Sequence, residues 1–113
     1  MYSTGFVLKL KEGCYDEYKR RHDNLWPEMA DLIAENGLEM FIYRLGEMLF
    51  VYSTAPSKEA WDRAEQDPLT AKWDAYMRDV LESDENGKIE VTEMPLVFAC
   101  SGTHTQSGRS LRR

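Results

Sequence analysis

The chain has 113 residues, of which 42% are hydrophobic and 30% charged, the size and balance of one globular domain with a single core. Its 20 Asp and Glu against 14 Lys and Arg leave a net charge of −6, which argues against nucleic acid and against anionic substrates held by a basic patch. No apolar run approaches the roughly 18 residues of a membrane span, and Met1 to Gly5 has neither the basic nor the long apolar stretch of a signal peptide. A cytoplasmic protein acting on a neutral small molecule is the expectation. No close Cys/His cluster surrounds Cys14 or Cys100, so they are expected to be plain thiols, with no metal.

Thr4 to Leu10 alternates loosely between apolar and polar residues and predicts a first strand. Tyr15 to Leu25 and Pro27 to Glu35 have helical spacing: Tyr15, Tyr18, His22, Leu25, Trp26, Met29, Leu32 and Ile33 follow one another mostly at three- and four-residue steps. Pro27 predicts a kink or restart, since proline suits the first helical turn. Asn36-Gly37 is a stop. Leu38 to Leu45 and Met48 to Thr54 flank Gly46-Glu47 and predict a tight hairpin. Ser57 opens a second helical stretch that Asp67-Pro68 interrupts and Leu69 to Leu81 resumes. After a turn at Asp84 to Gly87, Lys88 to Cys100 predicts the last strand, with Pro95 at an edge or bulge. Residues 1–100 form the expected domain, and residues 101–113, polar and aperiodic, an expected mobile tail.

The order strand, helix, strand, strand, helix, strand predicts an α+β ferredoxin-like βαββαβ sandwich, a four-stranded antiparallel sheet with its helices on one face. The other face then needs a cover, and a second copy packing sheet to sheet is the simplest, so a homodimer is expected.

Of the two histidines, His104 falls in the tail and His22 lies one helical turn after Tyr18 and one before Trp26. A phenol, an imidazole and an indole on one helix face can hold hydroxyls, move protons near neutral pH and cover the C–H face of a sugar ring. The same stripe also fits a helix packing aromatics onto its sheet. On the second helix Trp73, Tyr76 and Met77 share a face. Asp74 falls elsewhere on the wheel, where it either binds hydroxyls or orients His22, or is a solvated carboxylate. No phosphate-binding glycine loop, Ser-His-Asp order, CxxC or HExxH is present.

The run Glu17-Tyr18-Lys19-Arg20-Arg21-His22-Asp23-Asn24-Leu25-Trp26-Pro27-Glu28 resembles the signature of the L-rhamnose mutarotase family. The likeness continues through Leu49-Phe50, Trp61, Lys72-Trp73 and Tyr76-Met77 into Leu96 to Phe98. It implies a dimeric ferredoxin-like α/β barrel without metal or organic cofactor that interconverts the α and β anomers of L-rhamnopyranose. By the same likeness His22 is the proton donor, Tyr18 a substrate contact and Trp73 the first of a tryptophan pair. Two positions depart from the pattern. Asp74 stands where the second tryptophan is usual, and Phe41 where a tyrosine is expected in the second strand. Both bear on which 6-deoxy sugar is bound, L-rhamnose, L-fucose or another. Two other readings of the same architecture are a small cofactor-free monooxygenase or haem-handling protein, and a sugar-binding module without catalysis. The chemistry of anomer exchange needs the ring oxygen protonated while the anomeric hydroxyl is deprotonated, followed by reclosure with the roles reversed.

Overall fold

A computed structural model describes residues 1–100 of the chain. The elements run β1 (Tyr2–Lys9), α1 (Tyr15–Asp23), α2 (Pro27–Glu35), β2 (Glu39–Leu45), β3 (Met48–Ala55), α3 (Lys58–Glu65), α4 (Pro68–Met77) and β4 (Thr92–Met94). The sheet order is β2-β3-β1-β4, antiparallel at every pairing. This is the expected ferredoxin-like α+β arrangement, with each of its two helical segments split in two at a proline. Pro27 and Pro68 both sit at the first turn of a new helix, where the missing N–H removes no bond. Asp67 caps α4 by accepting from the Leu69 amide, and Ser57 caps α3 by accepting from Ala60. Gly46 has φ +61° at the first central position of the two-residue turn joining β2 and β3, a conformation that glycine adopts freely.

Strand alternation divides the sheet into two faces. Thr4, Phe6 and Leu8 of β1 pair with Ser53, Val51 and Leu49 of β3, and Met40 and Ile42 of β2 extend the same face toward the helices. Two core clusters lie on it. Leu10, Tyr18, Leu49, Met77, Val80 and Leu81 form one, and Leu38, Ala55, Ala60 and Ala64 form the other. The opposite face carries Phe41, Tyr43 and Tyr52, which are 48%, 70% and 46% exposed. Phe41 and Tyr52 are cross-strand partners whose rings stack with centroids 6.1 Å apart.

Two expectations are corrected. The helix predicted to resume over Leu69 to Leu81 stops at Met77. Arg21 donates to the Tyr76 carbonyl at 2.7 Å, and the chain turns so that Leu81 bridges Leu10, the residue just after β1. Val80 and Leu81 are core residues as their apolarity suggested, but through the bridge rather than a helix face. The last strand, predicted over Lys88 to Cys100, keeps only Thr92–Met94. Pro95 cannot donate to the ladder, and Leu96, Val97 and Phe98 beyond it are 68%, 93% and 79% exposed. The predicted tail and His104 lie outside the described residues. No helix among the described residues is long and apolar enough to cross a membrane.

Gly37 is constrained twice. Its φ is +69°, and a Cβ there would stand 2.8 Å from Cγ of Pro56. Gly13 has φ +78° with nothing near the Cβ position. Gly13→Ala should therefore cost roughly 1 kcal/mol in chemical denaturation, the left-handed penalty alone, and Gly37→Ala at least about 1 kcal/mol more. Equal costs would remove the contact with Pro56 from the account.

Candidate active site

A cavity of about 720 Å³ lies between the helices and the sheet. Its floor is Thr4, Phe6 and Leu8 with Met40, Ile42 and Val51, all on the helix-facing side. One end adjoins the cluster that contains Tyr18 and Met77; the other adjoins Trp61 and Ala64 of the second cluster. Tyr18, His22, Trp73 and Asp74 all line it.

His22 stands in the last turn of α1. Its Nδ1 is 3.1 Å from the carbonyl oxygen of Tyr18, one turn back. A carbonyl only accepts, so Nδ1 carries the proton in that bond and the neutral ring keeps its lone pair on Nε2. The ring packs on Tyr18 with centroids 4.4 Å apart and meets Trp73 edge-on at 5.4 Å. Burial lowers the His22 pKa below its ordinary 6.5, outweighing the opposing Tyr18 carbonyl and Asp23 charge. Burial also pushes the Tyr18 phenol above its usual range, so its hydroxyl stays neutral. The site at neutral pH thus pairs a proton acceptor, Nε2, with a hydrogen-bond donor, the phenol.

Thr70, Trp73, Asp74 and Met77 all face the cavity, the i, i+3, i+4, i+7 stripe of one helix side. Asp74 is therefore on the wall, not elsewhere on the wheel, and the stripe expected from Trp73, Tyr76 and Met77 is rotated toward it. Tyr76 is turned outward. Its ring stacks on Trp26 at 5.3 Å, the Arg21 guanidinium lies 4.4 Å over it, and Trp26 meets Trp73 edge-on at 5.0 Å. Trp26, expected to contact substrate, is not part of the cavity lining. It buttresses Trp73 from behind. Phe41 is likewise displaced from its expected place. It lies on the far side of the sheet, and its neighbour Met40 faces the cavity, because side chains alternate strictly along a strand.

Two residues were missed by sequence reasoning. Glu65 lines the cavity with Trp61 and Ala64, and their 0, 3, 4 spacing could have flagged it. Arg21, only 8% exposed, joins the helices. Its Nε donates to Glu17 at 2.7 Å, Nη1 to the Tyr76 carbonyl and to Asp79, and Nη2 to Asp79 at 3.1 Å. Nothing in its spacing marks it. Among the described residues no three His, Cys, Asp or Glu side chains group as a metal site would require.

The profile of the L-rhamnose mutarotase family matches residues 3–100. The L-rhamnose mutarotase of Tolumonas auensis is 32% identical over 101 residues, spanning 87% of this chain and 97% of that protein. The crystal structure of an L-rhamnose mutarotase from Formosa agariphila superposes with a TM-score of 0.74 at 26% identity, covering 89% of this chain and all of that one. A Mycobacterium tuberculosis structure at 16% identity and TM-score 0.62, covering 88% of this chain and 97% of that one, shares the fold alone.

A lowered histidine pKa has a signed consequence for stability. Below pH 6.5 the unfolded chain binds a proton at His22 that the folded chain resists, so stability should fall as pH drops from 6.5 toward the folded pKa. Ring NMR titration should give His22 a midpoint below 6.5, and His22→Ala should flatten this part of the stability profile. A midpoint at or above 6.5 would contradict the burial argument. Taken together, the cavity, the sequence match across residues 3–100 and the structural superposition establish that the chain belongs to the L-rhamnose mutarotase family.

Proposed function

We propose that the protein is a mutarotase that interconverts the α and β anomers of L-rhamnose, acting as an isomerase in the cytoplasm, with residues 1–100 as its single domain. The observation that carries this is the His22 ring held at the cavity wall with Nδ1 bonded to a main-chain carbonyl, in a chain whose named relatives are L-rhamnose mutarotases. The anomeric oxygen and the ring oxygen share one carbon, so a single nitrogen can serve both. Nε2 takes the anomeric proton as the bond between C1 and the ring oxygen breaks and the aldehyde forms. The same proton is then delivered to the ring oxygen as it becomes the C5 hydroxyl. The aldehyde turns, the ring recloses on its other face and the transfers reverse. Tyr18 stays protonated and hydrogen-bonds the oxygens, Trp73 covers an apolar face of the ring and Asp74 takes hydroxyls. His22 begins as the base in this scheme because the buried ring rests neutral.

The reading includes a homodimer. The sheet face bearing Phe41, Tyr43 and Tyr52 is apolar, contiguous and exposed, which a second copy packed face to face would cover. Phe41 then belongs to that interface rather than to the sugar.

NMR exchange between the anomers of L-rhamnose tests the chemistry. His22→Ala should lose roughly 10²–10⁴-fold in catalysed rate while keeping its fold. The wild-type rate should also fall on the acid side with a midpoint below 6.5; an unchanged rate in His22→Ala would end the assignment. Sedimentation velocity should show a dimer that Tyr52→Glu converts to monomer, and a monomeric wild type would remove the interface.

A further inference from the structure

The cavity holds a feature that the catalytic pair does not use. Glu65, the last residue of α3, and Asp74, in the middle of α4, both line it. The two helices are tied at this point by Thr70, whose hydroxyl donates to the Ala64 carbonyl at 2.7 Å. Neither carboxyl makes a hydrogen bond or ion pair with another described residue. Both are exposed residues, yet part of that exposure is to the cavity, and burial there raises the pKa of each. The neighbouring negative charge of Asp74 raises Glu65 further. Carboxyls in this condition gain from hydrogen-bond donors brought by a ligand.

Their place along the cavity is defined by the two cores. Tyr18 and Met77 belong to the cluster at one end, and Ala64, next to Glu65, to the cluster at the other. Along the cavity-facing side of α4 the order is Thr70, Asp74, Met77, so Asp74 stands between the α3 contact and the Tyr18 end. Ser53, fully buried, has a hydroxyl without a hydrogen-bond partner, and it lies between Thr4 and Met40, both cavity-lining.

We infer that Glu65 and Asp74 are specificity residues that hydrogen-bond the hydroxyls on the C3–C4 edge of the bound pyranose. The inference rests on the mutarotase reading, which puts C1 and the ring oxygen at His22. In a six-membered ring C3 and C4 are the carbons farthest from that bond, so this edge faces the wall away from Tyr18. A carboxylate can accept from two neighbouring hydroxyls at once. An indole in place of Asp74 would offer the same edge a ring face and one N–H donor, but no acceptor. The wall therefore selects a pyranose with free hydroxyls at both carbons, and it disfavours one that is deoxygenated or substituted there.

The test couples sugar and side chain. Binding of L-rhamnose and of its 3-deoxy and 4-deoxy analogues would be measured by ligand-observed NMR. The proteins are the wild type, Glu65→Leu, Glu65→Gln and Asp74→Asn. Glu65→Leu should weaken L-rhamnose binding about tenfold, the scale of one hydrogen bond to a charged group. It should weaken binding of at least one deoxy analogue far less, since the partner hydroxyl is already gone. Glu65→Gln keeps size and shape, and carries the same comparison if the leucine variant does not fold. Equal losses for all three sugars in every variant would overturn the proposal, as would a wild type that binds none of them. Anomer exchange in the same samples separates the two claims. Coupled binding with no accelerated exchange would keep the wall and remove the mutarotase reading.

Discussion

The geometry of the site depends on how one buried cation is held. Arg21 immediately precedes His22, and its guanidinium reaches from α1 to the end of α4, where it meets Asp79 and the Tyr76 carbonyl while keeping Glu17 on its own helix. A charge this enclosed is costly without partners, so the two helices are held where four of its five N–H donors are used. That arrangement fixes more than an ion pair. The guanidinium lies over Tyr76, Tyr76 stacks on Trp26, and Trp26 supports Trp73, whose ring meets His22. An aromatic chain thus runs from the outside of the helical layer to the cavity wall. Arg21 and Trp26 act through their neighbours as positioning residues, placed behind the surface that meets the ligand.

The cavity itself follows from a core that does not close. Large side chains fill the space around Tyr18 and Leu49, and alanines bring α3 close to β3 at the other end. Between them the sheet presents Thr4, Phe6 and Val51 without a helix side chain seated on all of them. The room left is lined by mostly apolar groups from the sheet, and from the helices by apolar side chains among which Tyr18, His22, Glu65 and Asp74 are set. Partial burial then sets the chemistry of each group by one rule. The charged form is disfavoured, so the imidazole is more readily neutral, and the phenol and the two carboxyls hold their protons more tightly.

Much of this was legible in the sequence. Helical spacing put Tyr18 and His22 on one face, Pro27 and Pro68 marked the helix breaks, and the Gly46-Glu47 turn set the hairpin. The readings that failed did so where tertiary contacts outvoted local pattern. Val80 and Leu81 continue the helical period of α4, but an arginine from another helix binds the last-turn carbonyl and the bridge to Leu10 takes them. Asp74 was assigned off the aromatic stripe because Tyr76 was counted in it, and only the stacking of Tyr76 on Trp26 shows which side of α4 faces inward. Phe41 and Met40 are one residue apart, and an apolar run without clean alternation does not say which of them points to the helices. Glu65 was hidden by its charge, since a glutamate at a helix end is ordinarily a surface residue.

The sheet order also has a consequence for the route to the native state. The first strand is central, flanked on one side by β3 and on the other by β4. The hairpin β2–β3 is local and can form within microseconds, whereas β1 must find Ala55 opposite Tyr2, and Gly5 waits for Met94. During synthesis the earliest residues therefore settle only after the latest strand has emerged. Val91 and Glu93, which line the cavity, arrive with it, so a binding-competent pocket appears at the end of folding rather than part-way through.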